Sequence, residues 1–461
     1  MSLRRRPRGW VLAALAAGIV VAVALVAVIV VIRQPVPVTA RTLRITVVDG
    51  PGHDQHVSLD ATFFTPPGSG RVPAILLAHG FGETKDSVRA EAGQLARAGF
   101  AVLTWSARGF GRSTGQVALD SPDYEVKDVG QLVTWLARQP RVMLDGPGDP
   151  RVGIAGASYG AAVALLAAAY DHRIDAIVPQ TTWYNLASAL FPDAAGGGPA
   201  GGVFKKQWAG LLFTQATAGF GPAGSGSGSQ SASRGHSASA GPVSARAGVS
   251  AALCGRFLPA LCAMYQQVAT LGRVTPQAIS LLGRSSPSSV ASRIDVPTLL
   301  IQGEDDSLFG LDQASGNYQA IRRNGAPVGM VWFAGGHDGG NQETSRITQL
   351  TAEWFGRWLK PRHLWSRADH SVPTGQPAFA VTRNLGYDPS SGNQVLEIAT
   401  APAYPGLAGS KRIAVRCGPA PAATYNAECR NARDGKTGSA TRRRIVEHLI
   451  PAMHDISATI V

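Results

Sequence analysis

Ser158 lies in a sequence pattern that is typical of a catalytic nucleophile. The pattern Gly156-Ala157-Ser158-Tyr159-Gly160 matches G-x-S-x-G, follows the apolar segment 152–155 and precedes an alanine-rich segment that runs to Tyr170. This order predicts a strand, a sharp turn and a helix. The glycines two positions before and after the serine leave room for such a turn, and the start of the helix directs backbone N–H groups towards a developing negative charge. We therefore interpret Ser158 as a nucleophile and not as part of a purely structural turn.

A serine hydroxyl needs a general base, and His337 is the predicted one. The hydroxyl is a weak nucleophile at neutral pH, so an imidazole must accept its proton and a carboxylate must orient that imidazole. His337 follows an apolar segment at 329–333 and lies in Gly335-Gly336-His337-Asp338-Gly339-Gly340. Glycines on both sides favour a tight, accessible loop at the end of a strand over a position in the core.

The acid that would orient His337 lies in the loop after the predicted strand 298–302. Three carboxylates follow each other there, in Gly303-Glu304-Asp305-Asp306. The G-x-x-D spacing counted from Gly303 favours Asp306, with Asp305 and Glu304 as the alternatives. The order serine, acid, histidine along the chain is the one that hydrolases with a wound parallel sheet use.

Backbone N–H groups are the expected binders of the oxyanion. The loop His79-Gly80-Phe81-Gly82 follows a predicted strand at 74–78. In sheets of this kind that loop supplies one donor and the residue after the nucleophile supplies the other, which assigns the N–H groups of Phe81 and Tyr159. We interpret His79 as structural, hydrogen-bonding its own loop, and as the substitute base only if His337 did not serve.

The elements that position these residues alternate between short apolar strands and helical stretches. Residues 41–67 first predict an antiparallel hairpin. The later pattern predicts an α/β fold with a mostly parallel, doubly wound sheet, because strands that are apolar throughout must be covered on both faces. The strands are predicted at 74–78, 101–105, 152–155, 176–179, 298–302 and 329–333, and the helices are predicted to begin near Ser87, Asp123, Tyr159, Leu311 and Thr344.

Two segments depart from this alternation. Residues 184–294 contain no convincing strand and predict an inserted cap with helices in 204–217 and 250–271, around a flexible loop rich in glycine and serine at 218–249. The catalytic domain is predicted to span 41–361. Residues 362–461 predict a short, irregular C-terminal tail, an incomplete β domain with strands at 379–382 and 395–398, to which we assign no function.

The N-terminus predicts a membrane anchor. Arginines at positions 4, 5, 6 and 8 precede an uninterrupted apolar run at 10–32, long enough to cross a hydrocarbon core of about 30 Å. Residues 1–9 are then cytoplasmic, 33–40 form a stalk and the remainder lies outside the membrane, because positive charge is retained on the inner side. The alternative is a signal peptide cleaved near Val38-Thr39-Ala40, which would release a secreted protein; the length of the run favours the anchor.

Charge and cysteine content narrow the partners. The 461 residues carry a net charge of +13, but the basic residues concentrate at the two ends of the chain, so nucleic acid is not a predicted partner. The cysteines fall into two close pairs, Cys254 with Cys262 and Cys417 with Cys429, without the histidines or spacing of a zinc site. Local disulfides and free thiols both remain open for each pair. The predicted chemistry requires neither a metal nor an organic cofactor.

Taken together, these motifs resemble the Xaa-Pro dipeptidyl-peptidase and cocaine-esterase family of serine hydrolases. The matching stretches are Arg108-Gly109-Phe110-Gly111-Arg112-Ser113-Thr114-Gly115, the G-x-S-x-G pattern, and the acid and histidine loops, and the resemblance covers residues 43–359. It implies the α/β-hydrolase fold and cleavage of a small ester or a short peptide through an acyl-enzyme.

The chain departs from that family in two places. The family's esterases use a tyrosine hydroxyl as oxyanion donor where this chain has Phe81, which leaves only a backbone N–H at that position. The tail is also too short and irregular to complete the family's C-terminal β domain. Two other interpretations belong to different classes: a non-catalytic cell-surface binding protein that kept the hydrolase fold, and an anchor whose basic tail binds anionic polymers of the cell envelope.

Overall fold

The computed structural model describes residues 37–192, 202–217, 254–360 and 378–407. The predicted anchor at 10–32, the cytoplasmic segment before it, the glycine- and serine-rich loop and most of the basic tail lie outside these ranges. No helix inside them is long and apolar enough to cross a membrane.

Ten strands form one sheet. They are β1 (Thr39–Asp49), β2 (Gln55–Thr65), β3 (Ala74–Ala78), β4 (Ala101–Trp105), β5 (Val152–Ala157), β6 (Ile174–Gln180), β7 (Thr298–Gly303), β8 (Val328–Phe333), β9 (Phe379–Tyr387) and β10 (Gln394–Ala401). Their order is β1-β2-β4-β3-β5-β6-β7-β8-β9-β10. Every pair from β4 to β9 is parallel, whereas β1 with β2, β2 with β4 and β9 with β10 are antiparallel. The sheet is therefore the mostly parallel one that the sequence predicts.

Helices cover both faces of the sheet. They are α1 (Arg89–Arg97), α2 (Glu125–Ala137), α3 (Tyr159–Tyr170), α8 (Leu311–Arg323) and α9 (Thr344–Leu359). The labels α4 to α7 belong to the helices between β6 and β7, whose ranges are given below. Alternate residues of β3 show the two-sided burial, since Leu76 packs in the cluster that includes α2 and α3 while Ile75 and Leu77 pack with α1 and α9. This double cover explains why β3 is apolar at every position.

The fold class is confirmed, and the predicted elements lie close to the observed ones. Strands β3 and β4 have their predicted bounds, and α3, α8 and α9 begin at the predicted residues. Helices α1 and α2 begin two residues after the predicted Ser87 and Asp123. Those two positions were polar residues ahead of the apolar pattern, and here they lie in the turns that lead into each helix.

The two strands predicted for the tail belong to the central sheet. β9 pairs in parallel with β8, through Met330 opposite Phe379, and β10 closes that edge. The ring of Phe379 packs edge-to-face on Trp332 at 5.0 Å. The sheet thus continues past residue 361, where the sequence pattern placed the end of the domain. Short half-buried strands carry no signal that tells which sheet they join.

Between β6 and β7, the α-helices that lie wholly within the described residues form the cap. They are α4 (Leu186–Leu190), α5 (Lys206–Thr217), α6 (Pro259–Leu271) and α7 (Pro276–Arg284). Helices α5 and α6 fall within the segments that predict lid helices. Cys254 and Cys262 form a disulfide at the start of α6, whereas Cys417 and Cys429 lie outside the described residues.

Candidate active site

Ser158 lies in the turn between β5 and α3, in a backbone conformation that few residues adopt. Its φ is 54° and its ψ is −115°, a region that costs about 1–3 kcal/mol for a residue with a side chain. Its N–H donates to the carbonyl of Gln180 at 2.9 Å, which helps to hold the turn. Gly160 is required because a Cβ there would lie 2.7 Å from the carbonyl oxygens of Ala78 and His79. The G-x-S-x-G spacing thus lets the turn pack against the end of β3.

The position of this turn follows from the strand order. β4 lies on one side of β3 and β5 on the other, so the chain changes its winding direction between β3 and β5. Loops at the carboxyl ends of strands separate at such a point and leave a crevice between them. Ser158 after β5 and Phe81 after β3 therefore face the same crevice, and both residues line it.

His337 contacts both the serine and one carboxylate. Its Nε2 lies 2.9 Å from the Oγ of Ser158, and its Nδ1 lies 2.7 Å from the Oδ2 of Asp306. Gly336 is needed next to it, because a Cβ at that position would approach the backbone of Asp306 to 2.7 Å. With the proton on Nδ1 donated to the carboxylate, the lone pair of Nε2 faces the hydroxyl.

Of the three neighbouring carboxylates, the structure brings Asp306 to the histidine. The Oδ1 of Asp306 accepts hydrogen bonds from the N–H groups of Leu308 at 3.0 Å and Phe309 at 2.8 Å. Its side chain is fully buried, while that of His337 is 19% exposed. Glu304 contacts neither His337 nor Ser158, and burial raises the pKa of its carboxyl to about 7.

The side chains of the two residues that are predicted to supply oxyanion donors, Phe81 and Tyr159, contact each other. The rings of Phe81 and Tyr159 pack edge-to-face with centroids 5.5 Å apart, and the ring of Phe110 contacts both, at 5.1 Å and 5.6 Å. Within the described residues, neither the N–H of Phe81 nor that of Tyr159 donates to another protein atom. These aromatic contacts join the loop after β3, which carries Phe81, to the start of α3, which carries Tyr159.

His79 is part of the scaffold. It is buried, and burial lowers the pKa of its imidazole to about 4. Its Nε2 accepts from the N–H of Ala107 at 2.9 Å, which places the ring proton on Nδ1, and Nδ1 donates to the carbonyl of Gly80 at 2.7 Å. A neutral His79 thus joins the loop after β3 to the loop after β4, the structural part that the sequence predicts for it.

A buried polar network behind Tyr159 was not found by sequence reasoning. The Tyr159 hydroxyl donates to the Oε1 of Glu125 at 2.9 Å, and the same carboxylate accepts from the N–H groups of Ala118 and Ser121. Arg108 pairs with Asp49 in a fully buried contact nearby. The sequence did single out Arg108, but its partners lie far along the chain and no local pattern marks them.

The second feature that sequence reasoning missed is a tie between the cap and the acid loop. The Nζ of Lys205 donates to the carbonyl oxygens of Ser307 at 2.6 Å and Leu308 at 2.8 Å. The Nε1 of Trp208, on α5, donates to the Ser307 hydroxyl at 3.0 Å, and that hydroxyl donates to Asp338 at 2.7 Å. These bonds join the cap to the loops that carry Asp306 and His337.

In the described part of the chain, two spaces lie beside Ser158. One, here called the apolar cavity, is a volume of about 100 Å³ lined by side chains that include Phe81, Trp183, Leu190, Phe213 and Met264. The other, here called the open cleft, is about 460 Å³ and is lined by His337 together with polar side chains that include Glu83, Gln180, Gln215, Gln342 and Thr344. The site therefore offers two different environments to the two halves of a substrate.

Fold, strained serine and histidine contacts together define a serine hydrolase of the α/β-hydrolase class. The sequence profile of the X-Pro dipeptidyl-peptidase (S15) family matches residues 52–338. The chain belongs to this family of serine hydrolases. The resemblance that the motifs indicate is thereby confirmed at the level of the family.

Individual relatives match shorter stretches. An uncharacterised 31.7 kDa protein of Escherichia coli, from the traX-finO intergenic region, is 32% identical over 129 residues, which cover 28% of this chain and 43% of that protein. The thiohydrolase aneE of Aspergillus aculeatus is 32% identical over 114 residues, covering 24% of this chain and 34% of the relative. The matched part is thus about two fifths of the length of the first relative and a third of the second.

Among solved structures, the acylaminoacyl peptidase of Pyrococcus horikoshii is similar with a TM-score of 0.44 and 18% identity. The alignment covers 72% of this chain and 43% of the peptidase.

Proposed function

We propose that the protein is a membrane-anchored, extracytoplasmic hydrolase that cleaves an ester or peptide bond through an acyl-enzyme on Ser158. The observation that carries the proposal is the continuous chain of contacts from the Ser158 hydroxyl through His337 to Asp306, at 2.9 Å and 2.7 Å. These three groups have the mutual geometry that nucleophile, general base and orienting acid require.

In the proposed reaction, the Oγ of Ser158 attacks the substrate carbonyl while the Nε2 of His337 takes the hydroxyl proton. The carbonyl oxygen becomes an oxyanion that the N–H groups of Phe81 and Tyr159 bind. His337 then gives its proton to the leaving group as the bond to that group breaks, and an acyl-serine remains. A water molecule, deprotonated by the same imidazole, releases the acid and restores the hydroxyl. Asp306 stabilises the imidazolium at both stages.

The experiment that tests the activity is labelling with a fluorophosphonate, which reacts with activated serines. Wild-type protein is expected to be labelled and Ser158→Ala is not, with equal circular dichroism and thermal unfolding as the control for folding. Folded wild-type protein that is not labelled would instead favour the alternative of a non-catalytic binding protein.

The anchor and the location are proposed from the N-terminal sequence, with support from β1. Thr39 and Ala40 pair with Thr65 and Phe64 in the sheet, so a signal cleavage at 38–40 would remove residues of a paired strand. Protease added to intact cells is expected to digest the catalytic domain and to spare a cytoplasmic control protein. Recovery of a mature chain that begins at or near residue 41 would support secretion instead.

A further inference from the structure

The two spaces beside Ser158 differ in which one contains the general base. His337 lines the open cleft and does not line the apolar cavity. In the proposed reaction the imidazole must hand its proton to the leaving group, so that group has to lie on the imidazole side of the scissile bond. The leaving group then occupies the open cleft, and the acyl part of the substrate occupies the apolar cavity.

The wall of the apolar cavity offers little to a polar acyl group. Among the described residues that line it, no side chain is charged. The polar atoms of two lining aromatics are used elsewhere, since the Nε1 of Trp183 donates to the carbonyl of Ser285 at 2.7 Å and the Tyr159 hydroxyl donates to Glu125 at 2.9 Å. Tyr265 stacks its ring on Phe213 with centroids 4.0 Å apart.

This wall discriminates between two kinds of acyl group. A peptide would bring N–H and C=O groups into a space with few partners, and buried polar groups without partners are strongly unfavourable. An α-amine would in addition need a carboxylate, which the described lining lacks. A hydrocarbon chain has neither requirement, and each methylene that leaves water on entering such a wall favours binding.

We infer that the substrates are esters in which a medium-length aliphatic acyl chain fills the apolar cavity and a polar alcohol lies in the open cleft. This inference rests on the proposed function, because it assigns the two sides of the bond that Ser158 cleaves. The finite volume of the cavity, about 100 Å³, bounds the chain length that it encloses.

The first test is a chain-length series of p-nitrophenyl acetate, butanoate, hexanoate, octanoate and hexadecanoate, measured beside Xaa-Pro and Xaa-Ala anilides. The value of kcat/KM is expected to rise by about fourfold per methylene, the equivalent of about 0.8 kcal/mol, until the cavity is full and then to stop rising. A maximum at the acetate, or an anilide that is cleaved faster than every ester, would overturn the inference.

A variant of the cavity wall supplies the second test. Ala209 lines the cavity from α5, and Ala209→Leu adds bulk there. The variant is expected to lower kcat/KM for the longest preferred ester at least tenfold more than for the acetate. Gln207→Leu adds a similar side chain at an exposed position of the same helix and is expected to leave the profile unchanged. Equal losses across the series in Ala209→Leu would count against the assignment.

Failure of the inference and failure of the proposed function give different results. If Ser158 is labelled by the fluorophosphonate but the chain-length profile is flat, the protein is a serine hydrolase, and the inference that an acyl chain fills the apolar cavity is wrong. If the folded protein is neither labelled nor active on any ester or anilide, the proposed function and the inference on the acyl chain are both wrong.

Discussion

Two buried carboxylate sites lie near Ser158, and they differ in how their negative charge is stabilised. Asp306 receives two backbone N–H groups on Oδ1 and the imidazole of His337 on Oδ2. Asp120, whose N–H donates to the Tyr159 hydroxyl, is buried beside Glu125, and burial together with that neighbouring charge raises the pKa of its carboxyl well above the ordinary value. Asp306 is thus surrounded by hydrogen-bond donors, whereas the environment of Asp120 favours the protonated acid.

The two carboxylate sites are suited to different tasks. A charged carboxylate beside an imidazole stabilises the imidazolium that forms during catalysis. A neutral carboxyl cannot do so, but it can hold a backbone turn or a hydroxyl in place. Hydrogen bonds with the Tyr159 hydroxyl connect Asp120 and Glu125 to the residue next to Ser158, so we expect this network to act on position and not on protons.

The largest expected effect comes from removing the charge of Asp306. Asp306→Asn keeps the shape of the side chain but no longer fixes the proton on the Nδ1 of His337, so kcat should fall by about 10⁴-fold. The measurement is steady-state hydrolysis of the best ester of the chain-length series. Asp305→Asn, in the same loop, is the matched control and should lose less than threefold; a similar loss in both variants would mean that the loop, and not the contact with His337, carries the effect.

Glu304, in the same loop, is half-buried, and among the described residues its carboxyl has none of the donors that Asp306 has. Its folded-state pKa is raised from 4.5 to about 7, so the protein is stabilised by the neutral form below about pH 4.5 and loses this contribution as pH rises through 7. Relative to Glu304→Gln, the free energy of unfolding should fall by on the order of 2–3 kcal/mol across that window.

Urea unfolding at several pH values measures this difference. Glu304→Gln should flatten the pH dependence, while Glu397→Gln, at an exposed position of β10, should preserve it. Parallel curves for wild type and Glu304→Gln would show that Glu304 titrates alike in the folded and unfolded chain.

Sequence patterns marked the residues that the structure brings together at Ser158, but not the contacts that hold these residues in place. Ser158, Asp306 and His337 each follow an apolar strand in a loop with glycine, and such short local patterns can be recognised in a single sequence. The contact of Lys205 with Ser307, and that of Tyr159 with Glu125, join residues that are distant along the chain. Such pairs depend on tertiary packing, and neither propensity nor spacing marks them.

At the β9–β10 edge of the sheet, too, the sequence predicted the strands but not the strand with which they pair. The two strands after residue 378 were visible as alternating segments, yet their partner β8 was not. The packing of Phe379 and Tyr404 around Trp332 decides that question, and it becomes apparent only once the sheet has formed. The local sequence pattern therefore predicts where a strand lies along the chain. Which strand it pairs with depends on how side chains pack across the whole sheet.

Tyr159→Phe tests the role of the buried network of Asp120 and Glu125. The variant keeps the ring contacts with Phe81 and Phe110 but removes the hydroxyl that donates to Glu125. If this bond positions the oxyanion donor, kcat should fall about tenfold, equivalent to about 1.4 kcal/mol, with little change in KM. Tyr170→Phe, at the exposed end of the same helix, is the control. A change in KM alone would place the role of the hydroxyl in binding.

The smallest expected effect concerns the tie between cap and acid loop. Lys205→Met removes the two hydrogen bonds to the carbonyl oxygens of Ser307 and Leu308 while keeping most of the side-chain volume. Asp306 keeps its own backbone donors, so kcat should change less than twofold. The cap helix that lines the apolar cavity loses an attachment, so KM for the preferred ester should rise about threefold, equivalent to about 0.7 kcal/mol.

Lys206→Met alters the next, exposed residue and should leave both constants unchanged. A fall in kcat for Lys205→Met without a rise in KM would show that the cap supports Asp306 and His337 directly. In that case the carboxylate site of Asp306 would depend on the cap as the oxyanion donors depend on Glu125, and the contrast between the two sites would be one of charge alone.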